Sequence, residues 1–242
     1  MSVGTVMPLE ALLDARRVWR GQSHAPPSST CPTGHAELDA ALPTGGWPEA
    51  ALSELLVPAP GVGELQLLWP TLARLSAPAS GESAAALGHA TGKASGKRQA
   101  ASFLQAADGR VIAVIAPPWL PYAPAWQAAG VYLPNLQVVR CDGRDALWAA
   151  EQCLRSAACA AVLCWPSGAN DRALRRLQVA AETGQCLGFA FRDPQAARNP
   201  SPAALRLLLQ GGSSEGVPPR VHVLKCRGGA VPAHPIPLRA AH

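Results

Sequence analysis

The chain has 242 residues, 48% of them hydrophobic, with 21 lysines and arginines against 16 aspartates and glutamates, a net charge of +5. That length suits one domain with appendages and a sizeable core, and no apolar run approaches the roughly 18 residues of a membrane span. The start, MSVGTVMPLEALLDARRVWR, lacks a basic segment followed by an apolar one, so no secretory leader and a cytoplasmic location are expected.

In chain order, PLEALLDARRVWR predicts an amphipathic helix within 1–20, with Leu9, Leu12, Leu13 and Trp19 on its apolar face. Residues 21–32 read as a Pro-rich linker and 33–227 as the main body. The body opens with a short helix (HAELDAAL), a Gly-Gly turn and a strand (ALSELLV). A Gly-rich loop and a helix to about Leu75 follow, then a flexible insertion over 76–108. VIAVIAPP is a strand, APAWQAAGV a helix, LQVVRC a strand, RDALWAAEQCLRSAA a helix and AAVLCW a strand. NDRALRRLQVAAETG is a helix capped by Asn170 or Asp171, with Gly184 expected just past its end. CLGFAF, AALRLLLQ and RVHVLKCR are the last strands, the final two a pair, and a Pro-rich tail spans 228–242. Apolar strands alternating with helices of ten to fifteen residues predict an α/β fold: a mostly parallel sheet covered on both faces.

The seven cysteines form no C-x-x-C pair and sit mostly among Ala, Val and Leu, the setting of buried, reduced thiols. The six histidines are scattered, so no metal site is expected, and no G-x-S-x-G elbow points to a nucleophile. The basic excess permits an acidic or nucleic-acid partner without demanding one; Lys93, Lys97, Arg98, Lys225 and Arg227 suit a solvated surface.

PAPGVGEL, between the ALSELLV strand and the following helix, has the layout of a phosphate-binding loop. Where that loop requires Gly, Gly, Lys and Ser/Thr, this one has Pro58, Gly63, Glu64 and Leu65, with Gly61 between. Pro58 has no N–H to donate. Glu64 beside phosphates is repulsive, on the order of several kcal/mol in a partly desolvated site. Gly61 and Gly63 still permit a turn at a helix N-terminus, which leaves simple nucleotide binding open.

The order TGHAELDAALPTGGWPEAALSELLVPAPGVGEL, VIAVIAPPWLPYAPAWQAAGVYLPNLQVV, ALRLLLQ and RVHVLKCRGG resembles the RecA core. LDAALPTGGWPEAALSELL, APGVGELQLLWPTLARL, APPWLPYAPAWQAAGV, DALWAAEQCLRSAACAAVLCW and DRALRRLQVAAETG together resemble one RecA-like family, ImuA, also labelled SulA-like. The resemblance implies a RecA-like core whose nucleotide site is degenerate. It places Pro118 where the water-activating Glu of RecA-like ATPases stands, and Trp165 where the Walker B Asp stands. It implies no catalysis, no cofactor and no metal. It implies an adaptor in SOS-induced translesion synthesis, with ImuB and an error-prone replicative-type polymerase as partners. RecA and self-association are further possibilities, through the N-terminal helix. A divergent ATPase acting on recombination filaments and a SulA-like cell-division inhibitor are the alternatives.

Ligands of open α/β sheets sit at the carboxyl ends of the strands. Trp119, Tyr122, Trp126 and Trp165 are therefore expected near the former nucleotide crevice, either filling it or, for Trp119 and Tyr122, forming a partner surface. Arg172, Arg175 and Arg176 share a helix face, which is either solvated or meets an acidic protein or a DNA backbone. DPQAARNPSP is expected as a shortened form of the second DNA-binding loop of RecA, and direct DNA contact stays open. The tail, with Ile236 and Leu238, is either a docking peptide or disordered.

Overall fold

The continuous apolar runs become the inner strands of one sheet in the computed structural model, which describes residues 29–78, 111–166, 168–211 and 218–238. The strands are β1 (Leu52–Leu56), β2 (Val111–Ile115), β3 (Leu136–Val139), β4 (Cys159–Cys164), β5 (Leu187–Arg192), β6 (Leu205–Gln210), β7 (Arg220–Cys226) and β8 (Ile236–Pro237). Their order across the sheet is β3-β2-β4-β5-β1-β6-β7-β8. β1 to β6 run parallel, and β7 is antiparallel to both its neighbours. The fold is α/β with a mostly parallel sheet. No described helix is long and apolar enough to cross a membrane.

Two hydrophobic clusters sandwich the sheet. The helices are α1 (Ala36–Ala41), α2 (Glu64–Ser76), α3 (Ala123–Ala128), α4 (Gly143–Arg155) and α5 (Asp171–Gly184). Leu38, Leu67, Leu68, Leu72 and Trp126 of α1 to α3 pack on one face with Leu55, Ile112, Val114, Leu163 and Phe189. Ala150, Leu154, Leu174 and Leu177 of α4 and α5 pack on the other with Leu52, Ala113, Ile115 and Val162. The strand period of two sends alternate residues of β1 to opposite faces. Leu52 therefore lies with α4 and α5 and Leu55 with α1 to α3.

Asn170 caps α5, its side chain accepting from the Ala173 N–H at 2.9 Å. The other end departs from expectation. Gln185, not Gly184, takes the left-handed turn, at φ 51°, and Gly184 is the last helical residue. A glycine is needed at 184 for space: a Cβ there would lie 1.9 Å from the Leu154 carbonyl oxygen of α4. Gly184→Ala should therefore push the two helices apart and cost about 1–3 kcal/mol, read as a lower urea midpoint. A midpoint equal to that of the unmodified chain would contradict this packing.

Both margins of the body extend beyond the expected limits. Residues 29–32, expected in the linker, pack onto the core: Cys31 is buried and its carbonyl accepts from the Trp47 N–H at 2.8 Å. At the other end Ile236–Pro237 adds a strand to β7, in register with Val221 and Arg220. The expected helix within 1–20 (Leu9, Leu12, Leu13, Trp19) and most of the 76–108 insertion, with Lys93, Lys97 and Arg98, lie outside the described residues.

Candidate binding crevice

The parallel strands β2, β4, β5 and β1 are consecutive in the sheet, so their carboxyl ends meet along one edge. A crevice of about 710 Å³ opens there. Its walls are the loop after β1 (Val57–Pro60), Pro118 after β2, Trp165 and Pro166 after β4, and the segment Phe191–Asn199 at the end of β5. Pro58, Pro118 and Trp165, three positions singled out in the sequence, thus come together around one space.

The loop itself explains Glu64. Gly61 (φ 90°) and Gly63 (φ 100°) occupy backbone regions that other residues rarely adopt, and Gly63 is the N-cap of α2. Glu64, the first residue of α2, is buried, and its carboxylate folds back onto the loop. The Gly61 N–H donates to Oε1 at 2.8 Å and to Oε2 at 3.0 Å. An internal carboxylate thus takes a backbone N–H of the turn that would otherwise cradle an anion. Leu65, the second residue of α2, is half-buried against the core. The sequence suggests a carboxylate aimed at a ligand; in the fold it is turned into its own loop.

The aromatic residues divide. Trp165 lines the crevice and stacks on Phe191, with ring centroids 4.5 Å apart at 11°. Its indole N–H is buried and has no hydrogen-bond acceptor among the described residues. Leaving such a donor unpaired costs about 1–3 kcal/mol. Trp126, expected at the crevice, packs instead edge-on against Trp69 of α2, with centroids 4.9 Å apart. Its position on α3 turns it inward, where it is buried. The crevice is not filled by rings: Trp119 and Tyr122 stand out from it, 74% and 71% exposed, with Leu120 between them at 74%.

Beneath the crevice lies a charged network that the sequence alone does not reveal. Glu54, in the middle of β1, is fully buried and pairs with both Arg192 of β5 and Arg206 of β6. The Arg206 Nε–Oε2 distance is 2.5 Å. Arg206 also donates to the carbonyls of Ala196 (2.7 Å) and Asn199 (3.0 Å), and Arg192 to that of Ala169 (2.8 Å). These bonds fasten the turn Pro194–Arg198, a 3₁₀ helix capped by Asp193, whose Oδ1 accepts from the Gln195 N–H at 2.7 Å. DPQAARNPSP, expected as a DNA-binding loop, is therefore in part a turn pinned to the sheet. The local signal for the network was a lone charged residue in a strand made otherwise of leucines and one serine. Its Arg206 partner lies 152 residues away.

Arg172, Arg175 and Arg176 are all exposed on α5, as the expected solvated face requires. Arg175 pairs with Asp171 of its own helix (3.3 Å), and Arg176 reaches across to Glu151 of α4. Of the three arginines, only Arg172 lacks an ion pair among the described residues. Only the Arg176 pair joins two helices, and pairs as exposed as these contribute little to stability. Ile236 and Leu238, expected as a docking peptide, are buried in the chain's own core, because the tail pairs with β7 and the Leu238 N–H donates to the Pro219 carbonyl at 2.8 Å.

All seven cysteines are free; Cys31, Cys159, Cys164 and Cys186 are buried, whereas Cys141, Cys153 and Cys226 are only half-buried. Burial pushes the Cys164 and Cys186 thiols up to about 12, so both stay protonated and unreactive at neutral pH. No group of three His, Cys, Asp or Glu able to hold a metal occurs among the described residues. Around the crevice Glu54 is held by two guanidiniums and Glu64 by its loop, whereas Asp193 is exposed, accepts from the Gln195 N–H and makes no ion pair among the described residues.

No protein-family model matches the chain, and no curated protein does. Among solved structures, the chain is similar to SulA from Pseudomonas aeruginosa at 24% identity and a TM-score of 0.40, over 60% of this chain and 98% of that one.

Proposed function

We propose that this chain is a non-catalytic adaptor on a RecA-like core, acting in the cytoplasm within SOS-induced translesion synthesis. In this role it recruits or organises ImuB and an error-prone polymerase at damaged DNA. The reading of the core draws on the Gly-rich loop, which joins an inner strand to a helix, and on a parallel sheet that ends in an antiparallel strand. The observation that carries the loss of catalysis is Glu64. Where a working loop would present a lysine to phosphate, this carboxylate accepts the Gly61 N–H. Pro118 and Trp165, at the positions of the water-activating and metal-holding acids, offer neither a base nor a metal ligand.

Two measurements test this. Calorimetric titration of the pure chain with ATP and Mg²⁺ should give no binding heat at high micromolar nucleotide. Saturable heat, together with turnover lost on Gly63→Trp, would return the chain to the ATPases. Co-expression with ImuB of the same genome should yield a complex that survives gel filtration. Separate elution of two folded proteins would sink the adaptor role.

A further inference from the structure

The sequence contains no C-x-x-C pair, but the fold brings two more widely spaced cysteines together. Cys153 lies in the last turn of α4 and Cys159 is the first residue of β4. The turn between them, Ser156 to Ala158, is tight. The Ser156 N–H and hydroxyl both donate to the Cys153 carbonyl, at 3.4 and 2.9 Å, and the Ala158 N–H donates to the Ser156 hydroxyl at 3.2 Å. Ala157 takes a left-handed φ of 58°. Helix end and strand start are thereby folded against each other, and both cysteines meet the same hydrophobic cluster. Cys159 is buried in it, whereas Cys153 packs on its margin and is half-buried. The two thiols interact directly. The Cys159 S–H donates to the Cys153 sulfur, which holds the Cys153 thiol below its ordinary value; that bond and burial push the Cys159 thiol up. The neighbouring thiols are less suited to react. Cys186 is fully enclosed and its S–H points to the Leu187 carbonyl at 3.6 Å. Cys141, between β3 and α4, has its thiol pushed up by burial and by the Asp145 and Asp142 charges.

We propose that Cys153 and Cys159 form a peroxide-sensitive dithiol, a modification site in which Cys153 is the reacting thiol and Cys159 resolves it into an intramolecular disulfide. The oxidant is a hydroperoxide, of which hydrogen peroxide is the simplest. The Cys153 thiolate attacks one peroxide oxygen. An S–O bond forms, the O–O bond breaks, and the departing hydroxide takes up a proton as water, leaving a sulfenic acid. The Cys159 sulfur then attacks the Cys153 sulfur. The S–S bond forms, the S–O bond breaks, and the hydroxyl leaves with the Cys159 proton as a second water. Two thiols and one hydrogen peroxide thus give one disulfide and two waters, and the two sulfurs supply the two electrons. Exposure assigns the roles: Cys153 is the member of the pair that meets solvent, and the thiol it touches stands ready for the second step. Glutathione reopens such a bridge, so in a reducing compartment it lasts only while peroxide does. The pair sits at the amino end of β4, whereas the crevice opens at the carboxyl ends of the strands. The two sites are separate, and the dithiol does not depend on the adaptor reading.

The test treats the folded full chain with hydrogen peroxide, blocks the remaining thiols with N-ethylmaleimide and maps tryptic peptides by mass without reduction. Cleavage after Arg155 separates the two cysteines, so the bridge joins DALWAAEQCLR to SAACAAVLCWPSGANDR. Fragmentation tells Cys159 from Cys164 in the second peptide. The expected product is that linked pair, lighter by two hydrogens than the two peptides apart and undone by dithiothreitol. Cys159→Ala should instead leave the sulfenic acid on Cys153, and dimedone capture there should rise several-fold over the unmodified chain. Cys153→Ser should give neither the bridge nor the adduct, and Cys141→Ser should form the bridge as the unmodified chain does. Equal urea midpoints under dithiothreitol show that the variants are folded. Two results on the unmodified chain alone would overturn the proposal, even where a variant fails to fold. They are peroxide treatment that yields no linked pair, and a bridge from Cys153 to Cys141, to Cys186 or to a second copy of the chain. Dimedone capture at Cys153 that is the same with and without a folded Cys159→Ala substitution would overturn the resolving role.

Discussion

Glu54→Ala is expected to lower the unfolding free energy by about 3–5 kcal/mol, the cost of breaking a buried ion pair from one side. The carboxylate is fully buried and answers two guanidiniums at once. Removing it leaves Arg206, 7% exposed, and Arg192, 11% exposed, as charges in the interior with no counter-ion. Their bonds to the Ala196, Asn199 and Ala169 carbonyls remain, but carbonyl dipoles do not neutralise two cations. The turn Pro194–Arg198 should loosen with them, since Arg206 fastens it. Urea unfolding gives the stability, and amide exchange in residues 194–199 gives the local effect. Swapping Glu54 and Arg206 together for leucine should recover part of the loss, because one uncompensated charge leaves with its partner. A loss below about 1 kcal/mol for Glu54→Ala would mean that the network is solvated and contributes little.

The second large effect concerns binding. On the adaptor proposal, Trp119→Ala combined with Tyr122→Ala should abolish a complex with ImuB on a gel-filtration column, because aromatic hot spots at an interface carry about 2 kcal/mol or more each. The same double variant should unfold within about 0.5 kcal/mol of the unmodified chain, since both rings lie mostly in water and contribute little to the core. Retention of the complex would move the interface to another face. A large stability loss would mean that the rings pack more than their exposure indicates.

The order of the elements was legible because each inner strand is a short apolar run and each helix carries one apolar stripe. VIAVIAPP, AAVLCW and CLGFAF became β2, β4 and β5, the first ending three residues early at Ile115 and the other two shifted by one residue. What escaped depended on contacts between distant segments. Glu54 reads as one charged residue in a strand until Arg206 is placed beside it by the β1–β6 pairing. Gly184 has the composition of a helix stop, yet its reason is the Leu154 carbonyl on a neighbouring helix. The tail lacks a strand pattern because two paired residues are too few to make one. The space around Pro58, Pro118 and Trp165 was foreseeable from the rule that strand ends gather. That Trp126 would leave it for Trp69 was not, since helix orientation decides it.

The bond between Glu64 and Gly61 has a kinetic meaning as well as a geometric one. A free anion reaches the loop at whatever concentration the surroundings supply. A carboxylate three residues away is tethered, and short tethers give effective concentrations of about millimolar or more. Any phosphate arriving from solution must displace a competitor that never diffuses away. A single Glu64→Lys substitution would therefore do two things at once: supply the cation that phosphate-binding loops use and release the N–H that the glutamate holds.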